Sequence, residues 1–310
     1  GNEFFFEMGY PPEPPYNDIG KRVWTGATSP LEKNPDAFDL IYPQFATHWF
    51  LEPPEAYAHK VAIVLLEPKQ VPRFPDKIAA WGITSKPLEK EYPEAIPLRF
   101  GVDTELFQPF PQARLDDKIH VGFIGNLQTP RRYLKELFMP LSKLEGVKID
   151  LYPTIWHKHT RVDEIESMGG WDLIDNIAGG DVWLSGLPNI YNRMDIFVRC
   201  DIEHGYQLSV MEAAACGVPV VCVDSGITKE LCDAGGGICI DNGGSSWQPE
   251  NLQRIAQELR QAVIRLRDDK ELRKTMGEKG RKFVEEQYTW GKWIPAWREF
   301  FQKGLAHAGN

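Results

Sequence analysis

Apolar and polar residues follow two regular patterns along most of this chain of 310 residues. Short, continuous apolar runs rich in β-branched residues are typical of parallel strands covered on both faces. The runs that predict strands are Phe38–Tyr42, Lys60–Leu66, Lys118–Ile124, Val147–Tyr152, Asp195–Arg199 and Val218–Val223, with shorter candidates at Arg22–Trp24, Ile83–Ser85, Asp181–Leu184 and Gly236–Ile240. Amphipathic helical stretches separate these runs, and the alternation predicts an α/β protein.

The helical period is clearest in the second half of the chain. Apolar residues spaced by three or four positions predict helices at Arg131–Leu144, Leu208–Cys216 and Pro249–Leu266. Gly217 follows the second of these, where a helix C-cap glycine belongs. Weaker helix candidates are Trp49–Ala58 and Asp76–Trp81 in the first half of the chain and Ile190–Arg193 in the second half. The proline-rich residues 1–37 are predicted to be mostly irregular.

One stretch between a strand and a helix indicates a ligand site. A polar loop, His204-Gly205-Tyr206-Gln207, precedes the helix that begins at Leu208. Free backbone N–H groups at a helix N-terminus bind anions, and a phosphate suits this position. Glu212 follows Leu208 by four positions and so lies on the same helix face, where its carboxylate could accept hydrogen bonds from a ribose diol.

A second glycine turn carries a similar signal. Gly125 ends the strand Lys118–Ile124, and Asn126 follows it before the predicted helix that begins at Arg131. Backbone donors and a helix start lie beside any phosphate bound at such a turn. Arg131 and Arg132 either supply forked donors to that phosphate or are two solvated arginines at a helix start.

The stretch HGYQLSVMEAAACGVPVV resembles the nucleotide-sugar site of GT-B glycosyltransferases, particularly glycosyltransferase family 4. That family usually has two glutamates separated by seven residues; Glu212 matches the second, and His204 stands in place of the first. Three further passages are similar to the family: the segment Ile96–Phe110 resembles its interdomain linker, Gly125 and Arg131 match its phosphate turn, and Gly186, Tyr191 and Asp195 match the passage that lines the base.

The resemblance implies a GT-B fold, with two Rossmann-like domains facing across a cleft and a reduced N-terminal domain. The implied domains are an acceptor-side domain (1–100), a nucleotide-sugar-binding domain (101–290) and a C-terminal helix that crosses back to the first domain (291–310). The N-terminal domain has about half of the length that the family usually shows.

The resemblance also implies the roles of individual residues. The donor would be held by Gly125, Asn126, Arg131, Arg132, Leu187, Gly205, Tyr206, Gln207, Leu208 and Glu212, with Leu187 packing on the base. His204 and Glu67 are the candidate catalytic residues. Glu67 is otherwise an ordinary carboxylate at a strand end, and His48 is the other option for its place.

The implied reaction moves a sugar from a nucleoside diphosphate sugar to an acceptor, with retention at the anomeric carbon. Growing phosphate charge would be met by N–H groups and arginine, so no metal and no cofactor besides the co-substrate is expected. The acceptor is left open as a glycan, a lipid or a small molecule, and so is the oligomeric state. A hydrolase or epimerase acting on the same donor, and a catalytically silent nucleotide-sugar-binding or scaffold protein, are the alternatives.

Composition and charge narrow the class of protein. A formal net charge of −9 argues against nucleic acid as a partner. No apolar run is long enough to cross a bilayer, and no signal-peptide pattern is present, so a soluble cytoplasmic protein is expected. The five cysteines lack metal-ligand spacing and are expected to be buried reduced thiols. Trp156, His157 and His159 are likewise expected to form no metal site.

Overall fold

The computed structural model describes residues 23–26, 40–43, 55–65, 75–84, 86–111, 116–125, 133–153, 186–201, 207–244 and 248–309. The chain divides into two compact units. The smaller unit joins residues 1–101 with residues 290–310, and the larger unit comprises residues 102–289.

The described strands and helices alternate in both units. The strands are β1 (Val23–Gly26), β2 (Leu40–Pro43), β3 (Ala62–Leu65), β4 (Ala80–Ile83), β5 (Ile96–Pro97), β6 (Ile119–Gly125), β7 (Val147–Pro153), β8 (Ile196–Arg199), β9 (Val220–Val223) and β10 (Gly237–Ile240). The α-helices are α1 (Lys86–Glu91), α2 (Leu187–Tyr191), α3 (Leu208–Ala215), α4 (Ile227–Asp233), α5 (Pro249–Asp268), α6 (Lys270–Gln287) and α7 (Trp290–Ala308).

The smaller unit contains two parallel sheets. β1 pairs with β2, and β3, β4 and β5 form a second sheet in that order. The last helix, α7, buries Trp297, Phe300 and Phe301 against residues of the second sheet. The indole N–H of Trp297 also donates a 2.8 Å hydrogen bond to the carbonyl of Arg99. Residues from the two ends of the sequence therefore build one hydrophobic core.

The larger unit contains a five-stranded parallel sheet in the order β10-β9-β8-β6-β7. Side chains of successive strand residues point to opposite faces of this sheet, and they are buried on both faces. In β9, Val221 and Val223 join the hydrophobic cluster on one face, whereas Val220 and Cys222 join the cluster on the other. The prediction that Val218–Val223 contains a parallel strand covered on both faces is confirmed.

The C-terminal end of α3 is held by close contacts with α6. Gly217 adopts φ +75°, the left-handed conformation expected of a C-cap glycine. A Cβ atom at Gly277 of α6 would overlap the carbonyl oxygen of Gly217, so only glycine permits this approach. Arg281 of α6 donates hydrogen bonds to the carbonyls of Ala215 (2.7 Å) and Phe107 (2.6 Å).

Three predicted helices differ from the structure. Within Arg131–Leu144, the described residues form a single π-type turn (Leu134–Phe138) and a 3₁₀-helix (Met139–Lys143). Pro140 explains this difference, because it has no amide hydrogen and its ring clashes with a carbonyl of the preceding turn. The helix predicted at Asp76–Trp81 is also wrong: a 3₁₀ turn (Pro75–Lys77) leads directly into β4. Within Trp49–Ala58, the described residues begin a 3₁₀-helix, Glu55–Lys60.

Other predicted elements are confirmed with shifted ends. The strand predicted at Ile83–Ser85 shares only Ile83 with the observed strand β4, which runs from Ala80 to Ile83 because the buried apolar run starts at Ala79 and Ala80. The predicted strand Asp181–Leu184 and the histidines His157 and His159 lie outside the described residues. Among the helices that the structure describes, none combines the length and the apolar character needed to cross a bilayer.

Candidate functional site

The strands that precede the two loops singled out in the sequence, β6 and β8, are neighbours in the larger sheet. The chain runs from β6 to its neighbour β7 on one side and then to β8 on the other side of β6. In open parallel sheets, ligands bind outside the carboxyl ends of the strands where the order reverses in this way. β6 ends at Gly125 and β8 ends at Arg199, so the Gly125 turn and the loop that leads to α3 both start from this switch point.

The N-terminus of α3 carries no side-chain cap. Gln207 is the N-cap residue, and its side chain makes no capping hydrogen bond. The first turn of the helix contains no acidic residue. The N–H groups at Leu208 and Ser209 are therefore not satisfied by the side chain that usually fills this role, which favours an anion at the helix start.

Gln207 has a second unusual property. Its side chain is buried, with 2% exposure, and neither its Oε1 nor its Nε2 atom has a hydrogen-bond partner among the described residues. Leaving a buried polar group unsatisfied costs about 1–3 kcal/mol. Because most buried amides in proteins are bonded, this one is a candidate contact for a ligand.

Glu212 lies one turn inside α3 and is held by a tyrosine. Its Oε2 atom accepts a 2.6 Å hydrogen bond from the hydroxyl of Tyr191 in α2. Both side chains are buried, and the ring of Tyr191 makes edge contacts with Phe107 and Phe197. The carboxylate is thus fixed in one orientation. A carboxylate offers about four lone-pair positions, so the Tyr191 bond leaves it able to accept others.

Leu187 begins α2 and is partly buried against the same hydrophobic cluster as Tyr191. Its predicted role, packing on a base, is not tested by these contacts. Seven predicted site residues lie outside the described residues, so their roles stay predictions: Glu67, Asn126, Arg131, Arg132, His204, Gly205 and Tyr206.

Arg199 is a residue of this region that the sequence analysis missed. Its Nη1 atom donates to the carbonyl of Ile124 (2.8 Å) and to the hydroxyl of Ser209 (3.3 Å), and its guanidinium pairs with buried Asp201. Arg199 thereby joins the ends of β6 and β8 to the first turn of α3. The sequence signal that could have revealed this ion pair is the position of Arg199 and Asp201, two residues apart, at the end of an otherwise apolar strand.

A second polar cluster lies at the amino end of β6, away from the carboxyl ends where the switch point is. Nδ1 of His120 is 2.8 Å from Oδ2 of Asp150, and Nε2 is 3.1 Å from Oδ1 of Asp116. The hydrogen bond with Asp150 raises the pKa of His120 despite its burial. Because this cluster lies at the amino end of the strand rather than at the switch point, we assign it a structural role.

Comparisons with known proteins agree with this arrangement. The family model described as Glycosyl transferase-like matches residues 131–299, more than half of the chain. No curated protein matches by sequence.

Three solved structures illustrate the likeness in fold. A glycosyltransferase of Rickettsia africae is 15% identical (TM-score 0.65, 92% of this chain, 90% of that chain). A sucrose-phosphate synthase of Thermosynechococcus elongatus is 16% identical (TM-score 0.62, 92% of this chain, 68% of that chain). HepE of Anabaena, solved with UDP and glucose, is 15% identical (TM-score 0.65, 88% of this chain, 80% of that chain). These likenesses confirm the predicted GT-B fold.

Proposed function

Because the chain belongs to the glycosyl transferase-like family of group 1 glycosyltransferases, we propose that it moves a sugar from a nucleoside diphosphate sugar to an acceptor with retention of configuration. In this reaction the bond between the anomeric carbon and the β-phosphate oxygen breaks. Negative charge grows on the diphosphate as it leaves. The acceptor hydroxyl oxygen forms the new bond on the same face of the sugar, and its proton passes to the diphosphate oxygen that has left.

The observation that carries the proposal is the meeting of three features at the switch point. Three features lie on elements at the carboxyl ends of β6 and β8: the end of β6 at Gly125, the uncapped start of α3 and the buried carboxylate of Glu212. We propose that the N–H groups at the start of α3 stabilise the leaving diphosphate, together with Arg131 and Arg132. Glu212 would accept hydrogen bonds from the ribose. This arrangement needs no metal ion at the reacting atoms.

We further propose that the smaller unit takes the acceptor. His204 and Glu67 would contact the sugar and the acceptor hydroxyl, and Leu187 would pack on the base. UDP-glucose is the first donor to test, because HepE, of the same fold, was solved with UDP and glucose.

The test is a paired measurement of donor binding and transfer. UDP, GDP, ADP and their sugar conjugates are screened by thermal unfolding, since a ligand at ~100 times its Kd stabilises the folded state by about 2.7 kcal/mol. Transfer is then measured with glycan, lipid and small-molecule acceptors. Glu212→Gln should weaken donor binding by about 10-fold or more, because hydrogen bonds to charged groups contribute about 1.5–3 kcal/mol.

Glu278→Gln is the matched control, because Glu278 is an exposed carboxylate on α6. It should leave binding and transfer unchanged. Full transfer activity in Glu212→Gln would contradict the proposed role of this residue. Donor binding without transfer to any acceptor would instead support a silent nucleotide-sugar-binding protein, and donor cleavage without an acceptor would support a hydrolase.

A further inference from the structure

Three of the five cysteines come together on the side of the larger sheet formed by β9 and β10. Cys222 lies on β9, Cys239 lies on β10, and Cys232 lies on α4, which connects these two strands. Their three Sγ atoms all lie within 4.8 Å of one another, and those of Cys222 and Cys232 are 3.6 Å apart. The sequence predicted buried reduced thiols, because the five cysteines include no Cys-x-x-Cys pair and are odd in number.

The fold explains why the three sulfur atoms meet. β9 and β10 pair in parallel with Cys222 directly opposite Cys239, so both side chains project from the same face of the sheet. Helix α4 covers that face. Gly237 leaves room for the third sulfur, because a Cβ atom there would lie 3.1 Å from Sγ of Cys232.

Hydrogen bonds within the cluster act in opposite directions on its members. The hydrogen bonds with Cys222 and Cys232 lower the pKa of the Cys239 thiol, whereas the hydrogen bonds with Cys232 and Cys239 raise the pKa of Cys222. Cys222 is buried, whereas Cys232 and Cys239 are partly exposed, so the cluster can be reached from solvent.

We propose that Cys222, Cys232 and Cys239 form a binding site for a thiophilic cation such as Zn²⁺, with water as the fourth ligand. Soft thiolate ligands select Zn²⁺ and Cu⁺ over hard cations. Tetrahedral Zn–S bonds of about 2.3 Å place sulfur atoms about 3.8 Å apart, close to the 3.6 Å between Cys222 and Cys232. All three sulfur atoms lie within 4.8 Å of one another, so the two remaining separations exceed the value for bound Zn²⁺ by at most about 1 Å.

Such a site would act as a structural clip. It would join the edge strand β10 to β9 and to the helix between them. Of the proposed donor residues, Gly125 ends β6 and Gln207 and Leu208 begin α3, whereas the cysteine cluster lies on β9, β10 and α4. The inference therefore does not depend on the proposed sugar transfer, and either can fail without the other.

The experiment uses the full chain, kept reduced and stripped of metal by a chelator. Zn²⁺ is titrated in competition with a chromophoric chelator, and bound metal is counted by elemental analysis. Co²⁺ serves as a spectroscopic probe, because its thiolate charge-transfer band increases with the number of sulfur ligands. The variants are Cys232→Ser and Cys239→Ser, which alter the partly exposed positions, and Cys216→Ala, which removes a cysteine outside the cluster.

We expect one Zn²⁺ per chain and a rise in Tm of several degrees on metal binding. Cys232→Ser and Cys239→Ser should each weaken Zn²⁺ binding by about 100-fold or more, because loss of a direct ligand costs at least as much as the roughly 10- to 100-fold that follows loss of an outer-shell partner. Cys216→Ala should bind as the unaltered chain does. Circular dichroism checks that each variant is folded.

Two results would overturn the proposal. One is unchanged Zn²⁺ affinity in folded Cys239→Ser and Cys232→Ser. The other is failure of the reduced, folded chain to bind Zn²⁺.

Discussion

The Tyr191 hydroxyl donates a 2.6 Å hydrogen bond to the Glu212 carboxylate, and both side chains are buried in the larger unit. This bond connects α2, which follows the undescribed segment 154–185, to the helix proposed to hold the donor. The tyrosine therefore acts as a positioning residue for the carboxylate.

Tyr191→Phe tests this positioning. Removing the hydroxyl leaves the buried carboxylate without one of its partners, so the free energy of unfolding should fall by about 1–3 kcal/mol. Affinity for the donor nucleotide should fall as well, because Glu212 loses its fixed orientation. Urea denaturation and nucleotide titration measure the two effects. Tyr92→Phe, a change to a partly exposed ring in the smaller unit, should alter neither.

Gln207→Met separates a ligand contact from a structural role. The buried amide has no hydrogen-bond partner among the described residues, so an apolar side chain of similar shape should leave the free energy of unfolding unchanged or raise it by about 1 kcal/mol. Affinity for UDP-glucose should nevertheless fall about 10-fold if the amide contacts the donor. Unchanged affinity, measured by titration calorimetry, would show that the donor does not use this group.

Arg199→Met tests the buried ion pair at the switch point. It removes the guanidinium from the fully buried Asp201 carboxylate and should lower the free energy of unfolding by about 3–5 kcal/mol. The double variant with Asp201→Asn should recover most of this loss, because no buried charge then remains. A denaturation series on the four proteins gives the coupling energy, and strictly additive losses would contradict a coupled pair.

His120 predicts a specific pH dependence of stability. Its pKa is raised in the folded state, first by the hydrogen bond with Asp150, so the folded protein binds this proton more tightly than the unfolded chain does. The resulting stabilisation is fully present below the unfolded pKa, about 6.5, and is lost as the pH rises through the folded pKa. Asp116 does not limit this effect, because its own pKa is lowered to about 2, chiefly by the backbone N–H of Lys118.

The measurement is the free energy of unfolding at a series of pH values from 5 to 9. The unaltered chain should lose stability above about pH 6.5 relative to His120→Gln, which lacks the titrating group. His307→Gln, a change at an exposed residue near the end of α7, should follow the unaltered chain. Parallel curves for all three proteins would contradict the assignment.

Local signals in the sequence predicted much of the fold. Three predictions that depend only on neighbours along the chain are confirmed: the C-cap glycine at Gly217, the strand in the valine run after it, and the helix that carries Leu208 and Glu212. The helix predicted at Arg131–Leu144 is wrong because Pro140 cannot donate a helical hydrogen bond and interrupts the α-helical pattern that the apolar spacing predicts.

Contacts between distant residues could not be predicted in this way. The cysteine cluster depends on the register of β9 and β10, which no spacing along the chain reveals. The same holds for the bond between Tyr191 and Glu212, because it joins two helices that pack only in the folded unit.

The order of synthesis has a consequence for the smaller unit. Its core requires Trp297, Phe300 and Phe301 of α7, which leave the ribosome after every residue of the larger unit. Domains otherwise tend to fold in the order in which they emerge. Here we expect the larger unit to fold first. Until α7 has been synthesised, the apolar residues of β3, β4 and β5 lack the side chains that cover them, and chaperones can bind them.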